Sequence, residues 1–205
     1  MSSVVLISGR GSNMQALIDA GIPVAAVLSN VPGAAGLAIA AQRGIPTAVV
    51  PHEDYASRES FEDALAAKID EYSPRLVALA GFMRVLTAGF VQRFRDRMLN
   101  VHPSLLPAFP GLNTHERALA EGVKLHGCSV HFVTADLDHG PIVAQAAIPV
   151  HREDTGESLA RRVLKQEHVI YPRAVQWFLD GKLVIRNGVV SVKGNHAQLV
   201  FDDSA

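Results

Sequence analysis

Short, continuously apolar runs separated by longer Ala- and Leu-rich segments constrain this chain more than any other feature. The runs are VVLIS (4–8), VAAVLS (24–29), TAVV (47–50), LVALAG (76–81) and MLNV (98–101). A strand that is apolar at every position has both faces covered, which is the condition of a parallel sheet. The intervening stretches, at about 12–20, 34–43, 58–72 and 87–94, have the length of helices. In the third, Phe61, Leu65, Ile69 and Tyr72 recur at helical spacing among Glu, Asp and Lys. A βαβα order of this kind predicts an α/β fold, a Rossmann-like open sheet with right-handed crossovers and helices on both faces.

Beyond residue 101 the pattern changes. CSVHFVT (128–134) and IVAQAAIPV (142–150) are separated by too few residues for a helical crossover, so they are expected as antiparallel neighbours. A long helix is expected over roughly 155–180, with Thr155 as its N-cap. LVIRNGVVSV then reads as a hairpin turning on Asn187-Gly188, and the last residues as a loose tail. The chain is therefore expected to be a single domain with halves at about 1–100 and 101–182, followed by a hairpin and tail over 183–205. With 48% apolar residues in 205, it can bury a sizeable core.

Several classes of function are disfavoured at once. A net charge of −1 without basic runs offers no footprint for nucleic acid or an anionic membrane. No apolar stretch approaches the roughly 20 residues of a membrane span, and the N-terminus lacks the pattern of a secretory signal. One cysteine, Cys128, excludes an intramolecular disulfide and favours a reducing compartment. A soluble cytoplasmic protein is expected.

The loop entered from MLNV carries the candidate chemistry. In MLNVHPSLLPAFPGLNTH (98–115), Asn100 and His102 share one side of a strand at its C-terminal end, where open parallel sheets bind ligands. An amide beside an imidazole suits a reaction that develops negative charge on a carbonyl oxygen. The plainer reading is that both side chains satisfy loop backbone groups. Pro103, Pro107 and Pro110 stiffen the loop behind them, which favours a fixed pair. In TADLDHGP (134–141), Asp136 and Asp138 lie in a turn. A carboxylate brought against His102 would favour its protonated form and fix its orientation; otherwise the turn is simply solvated.

At the head of the chain, VVLISGRGSN runs a buried strand into Gly9, Gly11, Ser12 and Asn13. Such a turn either cradles a phosphate at a helix N-terminus or is a tight connection capped by Ser12. The dinucleotide fingerprint would need a third glycine where Met14 stands. His131, inside an apolar strand, reads as a hydrogen-bonded core residue. The nine histidines show no H-x-x-x-H spacing or companion cysteines, so no metal is expected. No G-x-S-x-G elbow is present and Cys128 is mid-strand, so the protein offers no nucleophile. An Asn/His/Asp set without one suggests direct transfer between two bound substrates.

LISGRGSN, LAGFMRVL, LNVHPSLLPAFPG, SVHFVTADLDHGPIVAQ and QEHVIYPRAVQWF together resemble the phosphoribosylglycinamide formyltransferase family, in order from about residue 4 to residue 182. The resemblance implies the formyltransferase fold and transfer of a formyl group from 10-formyltetrahydrofolate to glycinamide ribonucleotide in purine (IMP) synthesis, with no metal. By that likeness Asn100, His102 and Asp138 are catalytic, and Gly11, Ser12 and Asn13 hold the phosphate. Leu164, Lys165, Gln166 and Glu167 complete the ribonucleotide site. Glu167 suits the ribose hydroxyls, while Lys165 is open between phosphate binding and solvent. Folate falls to Met83, Arg84, Val85 and Leu86, to Asn100, to Thr134, Ala135, Asp136, Leu137 and Asp138, and to Arg58 for its tail. Asn113, a histidine in some members, stays outside the catalytic set.

The partners so implied are the ribonucleotide and a reduced folate, with a monomer or homodimer as the assembly. Two other readings compete: a 10-formyltetrahydrofolate hydrolase, with water as acceptor, and a non-catalytic nucleotide-binding module. The hydrolase is disfavoured by the start of the chain on its first strand, without the added N-terminal domain of such relatives. A methionyl-tRNA formyltransferase would need a basic C-terminal domain.

Overall fold

The apolar runs of the first hundred residues all become strands, and they pair with one another in parallel. The computed structural model describes residues 2–194 and 196–202. It divides into two compact units, one through Asn100 and one from Val101 onward. The first holds β1 (Ser3–Ile7), β2 (Val24–Ser29), β3 (Thr47–Val49), β4 (Leu76–Leu79) and most of β5 (Met98–His102), whose end, Val101 and His102, belongs to the second. Their order is β3-β2-β1-β4-β5. In parallel register Val5 faces Val27 and Ala78, and Leu79 faces Asn100. The chain leaves β1 towards one edge and β4 towards the other, and such a reversal is where open sheets hold ligands.

Helices α1 (Ser12–Asp19), α2 (Ala35–Gln42), α3 (Arg58–Asp70) and α4 (Ala88–Arg93) connect these strands. Ser57 opens α3 by accepting from the Ser60 amide at 3.1 Å, and the Ser60 hydroxyl returns to the Ser57 amide at 3.2 Å. Phe61, Leu65 and Ile69 are buried as their spacing predicts. Truncating Leu65 to Ala would cost about 2–5 kcal/mol. The expected fourth member, Tyr72, lies past the helix end and is half-buried, because Ser73 turns the chain with φ 43°. A second correction concerns β3. It was expected to be covered on both faces, but it ends the strand order of this unit and exposes Thr47 and Val49. The apolar run TAVV carries no mark of an edge.

The second unit contains α5 (Thr114–Ala120), β6 (Leu125–Phe132), β7 (Ile142–Pro149), α6 (Gly156–Leu179), β8 (Leu183–Arg186), β9 (Val189–Val192) and β10 (Leu199–Phe201). β6 and β7 are antiparallel, as their short connection requires, with an irregularity between Val130 and His131. α6 covers both strands, seating Leu159, Val163, Ile170, Tyr171, Ala174 and Val175 in the core. Thr155 caps it as expected, accepting from the Ser158 amide at 3.1 Å. β8 and β9 form the expected hairpin, with Asn187 and Gly188 at φ 52° and 76°. The tail is not all loose: Leu199–Phe201 pairs parallel with β7 as β10. Residues 203–205 of that tail lie outside the described residues. Among the described residues no helix is long and apolar enough to cross a membrane.

Candidate active site

The turn after β1 is shaped by two glycines that touch. Gly11 has φ 76°, and a Cβ there would lie 2.8 Å from the Gly36 Cα. The Gly36 amide in turn donates to the Gly9 carbonyl at 3.0 Å. The loop is thus laid against the start of α2 with no space for a side chain at Gly11 or Gly36. Gly36 escaped the sequence reading; its only signal was an isolated glycine inside an Ala-rich helix. Ser12 does not cap α1, contrary to one reading of the turn. The N-cap is Gly11, without a side-chain cap bond, and Ser12 is the first helical residue. The first-turn amides then carry the positive end of the helix dipole uncovered by a cap side chain. Asn13, in that turn, is buried.

The segment after β4 comes to the same end of the sheet. The Ser8 amide donates to the Gly81 carbonyl at 3.1 Å, and the Met83 amide donates to Ser8 Oγ at 2.8 Å. Met83 and Val85 expose their side chains, Arg84 is half-buried and Leu86 is buried. Beyond them Glu62, a buried carboxylate on α3, accepts from both the amide and the hydroxyl of Thr87, the N-cap of α4. Arg58 is exposed at the first position of α3.

In the second unit His102 is buried, with Nε2 3.0 Å from the Phe109 carbonyl and Nδ1 3.4 Å from Asp138 Oδ2. Both ring nitrogens therefore face acceptor oxygens. Of the two carboxylates in the turn, Asp136 is exposed, while the Asp138 side chain is only 7% exposed. Asp138 reaches inward from φ 56°, a left-handed backbone that Asp tolerates better than most residues. Gly140 lets the turn close: a Cβ there would overlap the Phe132 carbonyl, 1.7 Å away. Thr134 bonds to the Asp136 carbonyl at 3.1 Å, and Ala135 and Leu137 are exposed.

His131 faces Asp138 from the other side, Nε2 to Oδ1 at 3.7 Å, too far for a hydrogen bond. It is a buried, hydrogen-bonded residue as expected, 2.9 Å from Nδ1 to the Phe132 carbonyl. Burial holds its pKa down, against the opposing pull of that carbonyl and of Asp138.

The proline-rich loop is stitched by polar groups that the sequence reading missed. Ser129 accepts from the Leu106 amide at 3.0 Å and donates to the Ser104 carbonyl at 2.7 Å. Gln145 donates to the Leu106 carbonyl at 3.0 Å and to Ser129 at 2.9 Å. Thr114 donates to the Pro103 carbonyl at 2.7 Å, and Arg117 to the Pro110 carbonyl at 2.6 Å. On α6, Gln166 and Glu167 are buried, Leu164 is half-buried and Lys165 is exposed. Gln166 donates to Asp202, just past β10, at 2.7 Å. Among the described residues no group of His, Cys, Asp and Glu side chains is arranged to hold a metal ion.

Comparison with known proteins identifies the family and the fold. The profile described as formyl transferase matches residues 1–175. The phosphoribosylglycinamide formyltransferase of Escherichia coli (strain K12) is 47% identical over 200 residues, 95% of this chain and 94% of that one. The trifunctional purine biosynthetic protein adenosine-3 of Homo sapiens is 47% identical over 91% of this chain, which spans only 19% of that protein. The solved phosphoribosylglycinamide formyltransferase of Coxiella burnetii has a TM-score of 0.92 at 47% identity, covering 98% of this chain and 99% of its own.

Proposed function

The chain belongs to the formyl transferase family, and on that premise we propose that it transfers the formyl group of 10-formyltetrahydrofolate to the amine of glycinamide ribonucleotide in purine biosynthesis. The observation that carries this reading is the buried His102 ring, held between the Phe109 carbonyl and the Asp138 carboxylate. It lies two residues beyond Asn100 on the same strand. The names of the relatives supply the acceptor and the transferred group, and the folate donor rests on the resemblance.

The amine of the ribonucleotide attacks the formyl carbon, and the carbonyl electrons move onto oxygen. The Asn100 amide and the His102 Nδ1–H, which lies beside Asp138 while Nε2 faces the Phe109 carbonyl, donate to that oxyanion. Collapse of the tetrahedral adduct breaks the bond to N10 of the folate, which takes up a proton as the attacking nitrogen releases one. Asp138 steadies the His102 ring while this exchange proceeds. The products are the formylated ribonucleotide and tetrahydrofolate. Orienting the two reactants contributes effective molarities on the order of 10⁵ M or more.

In this reading the turn at Gly11, Ser12 and Asn13 takes the phosphate, and Lys165 and Glu167 attend the ribonucleotide. Main-chain groups of 83–86 and 134–138 read the pteridine, and Arg58 meets the folate tail. The test is consumption of 10-formyltetrahydrofolate with and without glycinamide ribonucleotide. Turnover that requires the ribonucleotide and yields its formylated form supports the transferase. Equal consumption without it would identify a hydrolase, and no consumption under either condition would leave a binding module.

A further inference from the structure

We propose that Ser8 is a positioning residue for the folate, acting through the Met83 amide, with Asn30 as its anchor. The inference rests on the reading of 83–86 as the pteridine-binding segment.

Ser8 directly follows β1, and its hydroxyl makes contacts with two distant parts of the first unit. It accepts the Met83 N–H at 2.8 Å and donates to Asn30 Oδ1 at 2.6 Å. Asn30, just past β2, is 2% exposed. Its Nδ2 lies 3.2 Å from His52 Nδ1, and the same ring nitrogen is 3.1 Å from the Asn30 carbonyl. The His52 ring meets the buried Phe61 edge-on, at a centroid distance of 6.2 Å. His52 Nδ1 either accepts from Nδ2 or donates to the carbonyl, so one bond to His52, together with burial, holds Asn30, and a held acceptor fixes the direction of the Ser8 O–H.

With its proton committed to Asn30, Ser8 presents a lone pair to Met83. Met83 needs such a partner because the residue is 71% exposed and its side chain contributes little to anchoring its own main chain. Another tie at this point, the Ser8 amide to the Gly81 carbonyl, holds the chain two residues earlier rather than at the Met83 peptide plane itself. A segment that reads a flat ring through main-chain groups depends on the orientation of those planes. Removing the hydroxyl should therefore weaken folate recognition more than ribonucleotide recognition, although Ser8 adjoins the turn at Gly9 and Gly11.

The test compares Ser8→Ala, Ser8→Thr and Asn30→Ala in the full chain, reading the KM of each substrate and the exchange rate of the Met83 amide. Ser8→Ala is expected to speed exchange at Met83 and raise the folate KM about five- to tenfold, the scale of one lost hydrogen bond. The ribonucleotide KM should stay nearly unchanged. Ser8→Thr, which keeps the hydroxyl, should restore the folate KM, and Asn30→Ala should shift it in the same direction as Ser8→Ala. Unchanged exchange at Met83 in both alanine variants overturns the bridge itself. An equal rise in both KM values overturns it too, by showing that the whole turn has loosened. Faster exchange with neither KM altered would show that 83–86 does not contact folate, and the positioning role would fall with that reading.

Discussion

The main-chain amide of Gly111 donates to Asp138 Oδ2 at 2.8 Å, tying the turn after β6 to the proline-rich loop after β5. The same oxygen lies 3.4 Å from His102 Nδ1. Asp138 therefore has two separable tasks, one of position and one of charge. Asp138→Asn keeps an oxygen for Gly111 but removes the negative charge beside the ring. It is expected to fold with nearly native stability while kcat falls by about 10²–10⁴. Asp138→Ala should lose the same activity and also lower the melting temperature. Thermal unfolding and steady-state kinetics on the two variants separate the tasks, and a fully active Asn variant would remove the charge from the mechanism.

Asn100 and His102 are expected to differ in the pH dependence of their variants. Asn100→Ala removes one donor to the oxyanion and should cost about 10²–10³ in kcat with an unchanged profile. His102→Ala removes a donor that also exchanges protons, so the profile should change shape as well as height. Near-normal turnover in both variants would defeat the proposed chemistry.

Arg117 is expected to act at a distance. Its guanidinium donates to the Pro110 carbonyl at 2.6 Å and sits 5.5 Å from the centre of the Phe109 ring. Phe109 holds φ 53°, a left-handed conformation unfavourable for an aromatic residue, and its carbonyl orients His102. Arg117→Ala should free this loop and lower kcat on the order of tenfold through misplacement of the ring. Arg117→Lys keeps the charge without the planar fork and should recover only part of the loss. A kcat unchanged in both would show that Ser129, Gln145 and the prolines hold the loop unaided.

A buried histidine with a half-buried histidine beside it predicts loss of stability in mild acid. His126 is 1% exposed, and burial, followed by the charges of His115 and His102, lowers its pKa to about 4, with the Pro103 carbonyl opposing. Its Nε2 lies 3.2 Å from His115 Nδ1, and the Phe109 ring meets it edge-on. In the unfolded chain the ring titrates near its ordinary 6.5, so the unfolded state takes up the proton first as pH falls. The stability resting on the neutral ring is whole above that value, drains away between it and about 4, and then levels off. The full loss is on the order of 3 kcal/mol. His126→Phe should flatten the urea midpoint between pH 7 and 4.5 relative to the native chain. Some slope should remain, because burial also lowers His115, His131 and His168.

Features governed by neighbours along the chain were legible in advance. Continuous apolar runs marked β1, β2 and β4; Thr155 marked the start of α6; and Asn187-Gly188 marked the last hairpin. Period two put Asn100 and His102 on one side of β5. Each depends on a few consecutive residues, so each is written into local backbone preferences and side-chain alternation. Even the function was carried by contiguous words such as NVHPSLLP, because the loop that orients His102 is itself contiguous.

Tertiary structure alone decided the rest. α5 is short and follows a loop full of prolines, so no periodicity announced it. β10 exists because β7 offers it a parallel edge, and β3 is exposed because nothing pairs beyond it in its own unit. The resemblance singled out Asp138, but the chemistry of the residues did not separate it from Asp136; the turn after β6 does so by aiming one carboxylate inward and leaving the other in solvent. Ser8 and Met83 are 75 residues apart, and Ser129 and Gln145 reach Leu106 from strands that follow it. Such contacts depend on strand order and register, which set the distance between polar groups remote in sequence. The sequence by itself pointed to the residues proposed to carry the chemistry; only packing decided what holds each of them still.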